Sequence, residues 1–523
     1  MADAVRVDFQ PIGRRTTARP GQTLLQAAQA AGVGLASVCG GVGTCEECRL
    51  RLISGKLSPP TLIEEAVLSP AELEAGWRLA CQAEALSDVR VHIPPESLTA
   101  PQRLQLEGAQ ADLAPDSAGC RPGAYGLAVD IGTTKLAAYL VDLETGRTVA
   151  QAAAMNPQIA YGEDVISRIA YTEREEDGAR QLQAVLLASL NELTARMNAE
   201  AGVARDRLVE AVLVGNTAMH HLLAGLPVRQ LGSAPFAPAV TTPLSLEAGS
   251  LGLELGPDAR VYLPPVIAGY VGSDHLAMLL ATEAWKSAGT VIALDIGTNT
   301  EICLVSGGRA TSCSCASGPA FEGAHIREGM RAAPGAIERA CWSDGRVIWQ
   351  TVDGQPPVGI CGSGILDVVA ALLDGGVLKP TGQMLSGTDY PLVPAAQTGP
   401  GRDLLVTRRD VHEIQLAKAA IRAGTEVLLQ HAGLPAQAVD EFLVAGAFGT
   451  YLDLRSAVRV GMFPPLPLAR FKQVGNAAGA GAKQMLVSIT RRREAEALAG
   501  RLGYVELATD RGFTDLYMKY LGF

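Results

Sequence analysis

The sequence predicts an α/β multidomain protein in which a small cysteine-bearing domain precedes two larger, related lobes. Three observations lead to this fold class. Four of the ten cysteines lie within the first 81 residues, an Asp-Ile-Gly-Thr hairpin occurs at 130–133 and again at 295–298, and the 523-residue length exceeds what one hydrophobic core usually serves. We therefore expect about three domains.

The N-terminal cysteines have a spacing that suits an iron–sulfur cluster. Cys39, Cys45 and Cys48 form a C-x5-C-x2-C loop, and Cys81 stands alone 33 residues later. This is close to the loop-plus-one arrangement that holds a [2Fe-2S] cluster. The loop glycines at 40, 41 and 43 would let backbone N–H groups approach the cluster sulfurs. Zinc, which usually takes two C-x2-4-C knuckles, and ordinary buried thiols are the alternatives.

The elements around these cysteines describe a small mixed domain. Apolar and polar residues alternate weakly over 4–18, and Pro20-Gly21 then predicts a turn, so a short hairpin is plausible. A helix is expected from its cap Thr23 to near Gly32. Alternation over 49–55 and 88–95 predicts two further strands. With the Arg-Leu-Ala-Cys81-Gln setting of the last ligand, residues 1–95 resemble a β-grasp [2Fe-2S] ferredoxin domain. Residues 96–123, with scattered prolines and polar residues, are expected to form a linker.

The two hairpins have the composition of phosphate-binding turns. Glycine lets a turn approach a phosphate, hydroxyl and N–H groups donate to its oxygens, lysine adds a charge, and an aspartate can hold Mg²⁺ directly or through water. The predicted residues of the first turn are Asp130, Gly132, Thr133, Thr134 and Lys135, and those of the second are Asp295, Gly297, Thr298 and Asn299. Together they predict a two-sided clamp on a nucleotide.

A third stretch completes the pattern. An apolar strand runs into Gly446, Ala447, Phe448 and Gly449, where a flat base could lie against the backbone. In this order the three stretches resemble the phosphate 1, phosphate 2 and adenosine motifs of the actin, sugar-kinase and heat-shock-chaperone ATPase superfamily. That resemblance implies two lobes closing on ATP, which we place at 124–285 and 286–523. The glycine-rich stretch 475–483 is not a P-loop, because Gln484 stands where a Ser or Thr would bind magnesium.

Further site residues are predicted in three segments. Glu163 or Asp164 could orient the water that attacks the γ-phosphate, the alternative being a pair of helix-start carboxylates. Glu413 and Lys418, on an amphipathic helix, could reach the ribose or adenine or could be surface charges. Segments 156–169 and 361–367 are placed like the connecting segments of the superfamily fold, the second one a hinge.

Composition excludes some partners. The net charge is −10 and no Lys/Arg run forms a basic stripe, so nucleic acid is not an expected partner. Apolar stretches are interrupted before about 18 residues, so no membrane span is expected. The chain has no apolar signal core, and we expect a cytoplasmic protein with reduced thiols.

The combination resembles the reductive activators of corrinoid proteins. The resemblance spans nearly the whole chain, and the short sequence motifs on which it rests begin at Asn156, Val214, Ser317 and Val444. The family implies that the cluster returns one electron to the inactive cob(II)alamin of a methyltransferase corrinoid protein, driven by ATP, and regenerates cob(I)alamin. It also implies an upstream low-potential electron donor and a homodimer. A reductase for another metalloprotein, a small-molecule kinase and a nucleotide-regulated ferredoxin without turnover remain alternatives.

Overall fold

A computed structural model describes residues 4–31, 33, 35, 43, 48–94, 97, 115–116, 122–162, 164–323 and 325–523. The chain divides into two compact units. The first comprises Met1–Arg103, Pro319–Gln415 and Gly522–Phe523, and the second comprises Leu104–Gly318 and Leu416–Leu521. The domain boundaries inferred from the sequence remain predictions.

The N-terminal part of the first unit is a five-stranded sheet of order β2-β1-β5-β3-β4, in which β1 and β5 run parallel. Its apolar core lies between this sheet and the first helix, which Thr23 caps as the sequence predicted, in a capping box with Gln26 that the structure adds. The elements are β1 (Val5–Gln10), β2 (Arg14–Ala18), α1 (Leu24–Ala30), β3 (Arg49–Ser54), α2 (Leu62–Val67), α3 (Pro70–Glu74), β4 (Trp77–Leu79) and β5 (Val89–His92).

The first half of the second unit is a six-stranded sheet of order β10-β11-β9-β6-β7-β8. Its core contains side chains of the sheet and of the long helix α5. The elements are β6 (Tyr125–Ile131), β7 (Lys135–Asp142), β8 (Thr148–Met155), α4 (Val165–Arg174), α5 (Gly178–Ala201), β9 (Leu208–Gly215), α6 (Thr217–Leu223), β10 (Leu244–Glu247), α7 (Ala248–Leu251), β11 (Arg260–Leu263) and α8 (Ser273–Thr282).

The remaining residues contribute a second six-stranded sheet, of order β21-β20-β12-β13-β14-β22, and two small sheets, β16-β15-β17 and β18-β19, that belong to the first unit. The elements are β12 (Val291–Ile296), β13 (Thr300–Ser306), β14 (Arg309–Cys315), β15 (Ala336–Ser343), β16 (Arg346–Thr351), β17 (Gly359–Ile360), α9 (Gly362–Asp374), β18 (Asp389–Val393), β19 (Leu404–Thr407), α10 (Arg408–His431), β20 (Glu441–Ala445), α11 (Ala447–Tyr451), α12 (Leu454–Arg459), β21 (Phe471–Gly475), α13 (Ala477–Val487), α14 (Ile489–Ala499), β22 (Gly503–Tyr504) and α15 (Arg511–Lys519).

Five strands of the two six-stranded sheets share one topology, as the repeated hairpin predicted, whereas the sixth strands lie at opposite edges, β10 beside β11 and β22 beside β14. In the first, the antiparallel strands β6, β7 and β8 are flanked by β9, which is parallel to β6. In the second, the antiparallel strands β12, β13 and β14 are flanked by β20, parallel to β12. The predicted α/β fold with two related lobes and an N-terminal cysteine domain is confirmed.

Helices α8 and α13 lie between the two sheets and share one apolar core with both of them. Their approach depends on glycine, because a Cβ at Gly481 would lie 2.1 Å from the carbonyl oxygen of Ala277. The glycine-rich stretch 475–483 therefore serves helix packing. Segment 361–367 contains the start of α9, which packs on β15 in the first unit, and a Cβ at Gly364 would meet the Ile337 carbonyl oxygen, so its small residues allow close packing. Its role as a connecting segment and hinge stays a prediction.

Among the described residues, no helix combines the length and the apolar character needed to cross a membrane.

Candidate functional site

The two predicted phosphate turns face each other inside the second unit. The first turn, between β6 and β7, is closed by a hydrogen bond from Gly132 N to Lys135 O at 2.9 Å, and the second, between β12 and β13, by one from Gly297 N to Asn299 O at 3.1 Å. The hydroxyls of Thr134 and Thr298 are 3.5 Å apart. The turns that follow two equivalent strands thus direct their threonine hydroxyl groups to one place, as a two-sided clamp requires.

Neighbouring side chains hold the turns in shape. Asn216, the N-cap of α6, donates from Nδ2 to the hydroxyl of Thr133 at 2.8 Å. Ser317 donates to the carbonyl oxygens of Gly297 and Thr298 at 3.2 and 3.3 Å. Glycine is required in the first turn, because a Cβ at Gly132 would lie 2.7 Å from the Lys135 carbonyl oxygen. The sequence motifs around Asn216 and Ser317 therefore position the two predicted phosphate turns.

The two predicted aspartates stand near the ends of equivalent strands, Asp130 on β6 and Asp295 on β12. Burial raises the pKa of Asp130 well above its ordinary value, and the charges of Asp295 and Asp274 raise it further. Burial also raises the pKa of Asp295 to about 6. The aspartates are therefore close enough to repel each other when both are ionised.

Sequence reasoning missed two further carboxylates of this cluster. Asp274 is the second residue of α8, and burial followed by repulsion from Asp295 raises its pKa to about 7. Glu301, on β13, accepts a hydrogen bond from Ser314 Oγ at 3.1 Å, and burial followed by the charges of Asp274 and Asp295 raises its pKa well above its ordinary value. A signal existed for Glu301, because it occupies the apolar strand position at which the first hairpin has Leu136.

The four carboxyl groups near the predicted phosphate turns supply the kind of oxygen donor that a divalent cation prefers. Mg²⁺ prefers carboxylate, phosphate and water oxygens and usually takes only one or two carboxylates from the protein. In the part of the chain that the structure describes, no group of three His, Cys, Asp or Glu side chains has the geometry to chelate a metal by itself. Asp130 and Asp295 would therefore hold such an ion together with phosphate and water oxygens.

The predicted adenosine stretch lies against the second hairpin. Gly446 has φ +90°, its N–H donates to the Gly475 carbonyl oxygen at 3.1 Å, and a Cβ there would lie 2.7 Å from Asp295 Oδ1. Helix α11 begins at the next position, Ala447, and contains Phe448 and Gly449. The structure thus brings this stretch next to the predicted magnesium ligand.

The remaining predicted residues have varied surroundings. Lys418 is 1% exposed, and burial together with the nearby charge of Arg422 lowers its pKa to about 8. Glu413 belongs to the first unit, where its carboxylate lies 3.7 Å from His325 Nδ1. A nucleotide contact by either residue stays a prediction.

The two candidate catalytic carboxylates differ in what the structure describes. Asp164 is the N-cap of α4, and its Oδ1 accepts hydrogen bonds from the backbone N and the hydroxyl of Ser167 at 2.6 and 2.7 Å. These contacts match the alternative interpretation of a helix-start carboxylate. Glu163 lies outside the described residues.

Two of the four predicted cluster ligands are described. Cys48 and Cys81 are both buried, and the N–H of Ala80 donates to the Cys48 carbonyl oxygen at 2.9 Å, so the end of the loop and the distant cysteine come together. Gln82 Nε2 lies 3.5 Å from Cys81 Sγ, a distance at which it can donate to a thiolate. Cys39 and Cys45 lie outside the described residues. The donor chemistry of the described pair fits an iron–sulfur ligand set completed by the loop.

A buried ion pair that sequence reasoning missed supports the strand before Cys81. Arg78 donates from Nε and Nη2 to the two carboxylate oxygens of Glu64 at 2.9 and 2.8 Å, and the N–H of Leu79 donates to the same carboxylate at 2.9 Å. Burial raises the pKa of Glu64, but the hydrogen bonds from Arg78 and the backbone outweigh it, so the pKa lies below its ordinary value. The pair ties α2 to β4.

Fold and site define a class of protein, an iron–sulfur domain joined to a duplicated nucleotide-binding ATPase fold. Residues 7–86 match the 2Fe-2S iron-sulfur cluster binding domain, residues 125–287 the RACo middle region, and residues 289–523 the C-terminal domain of RACo, the ASKHA domain. ASKHA denotes the ATPase superfamily that the three motifs resemble.

The chain belongs to the family of corrinoid-activating proteins, of which several members are similar over most of their length. The corrinoid activation enzyme RamQ of Eubacterium limosum is 33% identical over 413 residues, 75% of this chain and 69% of RamQ. The [Co(II) methylated amine-specific corrinoid protein] reductase of Methanosarcina barkeri is 26% identical over 436 residues, 76% of this chain and 77% of that protein. The solved structure of a reductive activator for corrinoid, iron-sulfur protein is 30% identical, covers 99% of this chain and 98% of its own, and has a TM-score of 0.71.

Proposed function

We propose that this chain is an ATP-dependent reductive activator that returns one electron to the cob(II)alamin of a corrinoid methyltransferase protein and so regenerates cob(I)alamin. The observation that carries the proposal is the joining of a [2Fe-2S] domain to the two-sided clamp in which Thr134 and Thr298 meet. Membership of the corrinoid-activating family supports the choice of partner. The cluster supplies the one-electron chemistry when bound.

The clamp residues have separate tasks in this proposal. The turn N–H groups and the hydroxyls of Thr133, Thr134 and Thr298 donate to phosphate oxygens, and Lys135 adds a positive charge. Asp130 and Asp295, whose pKa values are raised by burial and, for Asp130, also by neighbouring carboxylates, would hold Mg²⁺, and its charge would favour their ionised forms. An ATP phosphate would therefore be held by donors from both hairpins.

We assign the water-orienting role to Asp274 in preference to Glu163 or Asp164. Asp274 is near enough to Asp295 to feel its charge, which places Asp274 beside the proposed Mg²⁺ site, and burial, the larger cause, raises its pKa towards that of a general base. Asp164 is engaged by Ser167 as a helix cap. A carboxylate at the start of α8 also stands on one of the helices between the two sheets, so its position depends on how the sheets pack.

ATP is needed because the electron transfer is unfavourable alone. Plant-type [2Fe-2S] clusters have reduction potentials near roughly −400 mV, and Co(II) is harder still to reduce. Differential binding of ATP can favour the complex in which the cobalt accepts the electron. The proposal includes a low-potential donor that re-reduces the chain, a homodimeric state and a cytoplasmic location.

The test follows the cob(II)alamin absorption of a corrinoid protein mixed with the chain and a low-potential reductant, with and without Mg-ATP. We expect ATP-dependent formation of cob(I)alamin that is lost in Cys45→Ser and strongly slowed in Asp274→Asn, while Cys341→Ser, at an exposed cysteine, behaves as wild type. No ATP effect with any of several corrinoid proteins would overturn the proposal. Phosphorylation of an added small molecule would instead indicate a kinase.

A further inference from the structure

The iron–sulfur domain meets the 326–331 segment through a buried charge network inside the first compact unit. Arg14, the first residue of β2, is 2% exposed, and Glu328 is 1% exposed. Arg14 Nη2 donates to Glu328 Oε2 at 3.1 Å. From the other side, Arg402 donates from Nη1 and Nη2 to the two oxygens of the same carboxylate, each at 2.8 Å. One glutamate therefore accepts from two guanidinium groups.

Arg14 also donates hydrogen bonds to backbone carbonyl groups on both sides of this contact, within the iron–sulfur domain and within residues 319–415 of the first unit. Its Nε donates to the carbonyl oxygen of Ala31, which follows α1 within the iron–sulfur domain, at 2.8 Å. Its Nη1 and Nη2 donate to the carbonyl oxygens of Gly329 and Val358 at 3.1 and 3.2 Å. Only the planar fork of arginine offers this many directed donors, so lysine could not make the same set of bonds.

A second contact lies beside the network. The N–H of Arg331 donates to the Ile12 carbonyl oxygen at 3.4 Å, and Arg331 Nη1 donates to Gln10 Oε1 at 3.5 Å. A Cβ at Gly13 would lie 3.1 Å from Arg331 Nη1, so the guanidinium lies close over this turn. Residues 10–14 thus form one continuous contact face.

The printed contacts between the two sides are polar, and the two apolar clusters next to them share no member among the residues that the structure describes. The core of the iron–sulfur domain draws its members from residues 5–93, and the cluster around Met330 and Ala336 draws its members from residues 330–361. Hydrogen bonds and ion pairs join the two sides in the contacts described above. Polar interfaces of this kind between domains usually permit relative motion, whereas a shared apolar core does not.

We propose that residues 10–14 of the iron–sulfur domain form a reversible docking surface for residues 326–331 of the same chain, locked by Arg14, Glu328 and Arg402. The iron–sulfur domain, which the predicted linker connects to the rest of the chain, is then an electron carrier that has a specific docking site and can leave it. No part of this inference involves ATP or cobalt, so failure of the activation assay would leave it standing.

The test is hydrogen exchange on the full-length holoprotein, with peptides covering 10–16 and 326–333 compared with the core strands 88–93 and 336–343. Reversible docking predicts that the two contact peptides exchange faster than the core strands. Arg14→Gln and Glu328→Gln should each speed exchange in both contact peptides at least about tenfold, because breaking a buried pair leaves an uncompensated charge. Neither variant should change exchange in the core strands.

The matched control is Arg6→Gln, because the exposed Arg6 pairs with Asp88 within its own domain at 3.6 Å, lies outside both contact peptides and should leave both of them unchanged. The visible spectrum of the cluster reports whether each variant folds, and Glu328→Gln decides the question if Arg14→Gln loses the cluster. Contact peptides that exchange only together with the core strands would overturn reversible docking. An effect of Glu328→Gln confined to 326–333 would overturn the docking surface itself.

Discussion

The hydroxyl of Thr134 lies 3.5 Å from the hydroxyl of Thr298, although the two residues are separated by 164 positions in the chain. Each threonine stands in the turn of one of two equivalent hairpins, so this pair marks the place where the duplicated sheets meet. A phosphate between the turns would accept donors from both sheets. The arrangement explains how nucleotide binding can couple them.

Removing one of these hydroxyls should weaken nucleotide binding. Thr134→Val keeps the shape of the side chain and loses a donor to a charged group, a bond that contributes about 1.5 to 3 kcal/mol. We expect Mg-ATP to bind roughly 10- to 100-fold more weakly, measured by calorimetry. Thr134→Ser, which keeps the hydroxyl, should restore most of the affinity. Equal affinities for the valine and serine variants would contradict a role for the hydroxyl.

Asp274→Asn should separate hydrolysis from binding. Loss of a general base typically costs about 10²- to 10⁴-fold in rate, so partner-stimulated ATP hydrolysis should fall by at least about 100-fold while nucleotide affinity changes little. Asp164→Asn serves as the comparison, since asparagine is also a good helix cap and should leave both quantities near wild type. A larger loss of hydrolysis in Asp164→Asn than in Asp274→Asn would move the water-orienting role to Asp164.

Substitution of Gly481 should disturb the helix pair between the sheets. A Cβ there would lie 2.1 Å from the Ala277 carbonyl oxygen, which is backbone and cannot move aside cheaply. We expect Gly481→Ala to lower the free energy of unfolding by about 1 to 3 kcal/mol, measured by urea denaturation. Gly500 follows helix α14, and a Cβ there would have no neighbour nearer than 3.8 Å, so Gly500→Ala should leave the free energy of unfolding unchanged. A neutral Gly481→Ala would show that the helices can separate slightly.

The Glu64–Arg78 pair should make the iron–sulfur domain acid-sensitive. Because the pKa of Glu64 is lower in the folded than in the unfolded chain, its stabilising contribution is complete above the unfolded pKa and is lost as the pH falls through the folded pKa. Glu64→Gln should lower stability by about 3 kcal/mol near neutral pH and flatten the acid limb of a stability profile followed by cluster absorbance. The control is Glu65→Gln, at the exposed residue next to Glu64, which should keep the wild-type dependence of stability on pH.

Loss of either described cysteine ligand should abolish the cluster. Cys48→Ser and Cys81→Ser are expected to purify without the visible absorption and iron content of a [2Fe-2S] protein, because three thiolates leave one iron incompletely ligated. Cys341→Ser alters an exposed thiol and should retain both signals. Zinc in place of iron in the wild-type protein would support the alternative metal.

The local motifs could be predicted from the sequence because their chemistry depends on neighbouring residues. The cysteine spacing, the helix cap at Thr23 and the repeated turns around Gly132 and Gly297 all depend on short-range geometry. The duplicated lobe followed from the repeat itself, since each hairpin belongs to the five-strand arrangement that the two sheets share. The family resemblance rested on the same motifs.

Only the tertiary structure decided which distant groups share an environment. Asp274 and Glu301 join Asp130 and Asp295 because a helix start and a strand interior converge on the hairpin ends, and a single charged residue has no periodicity that signals this. Residues 319–415 group with the N-terminal domain, and Arg14 meets Glu328 across 314 positions. Such pairings depend on burial and on the path of the whole chain, because an arginine in a strand has the same local pattern whether it faces water or a buried carboxylate.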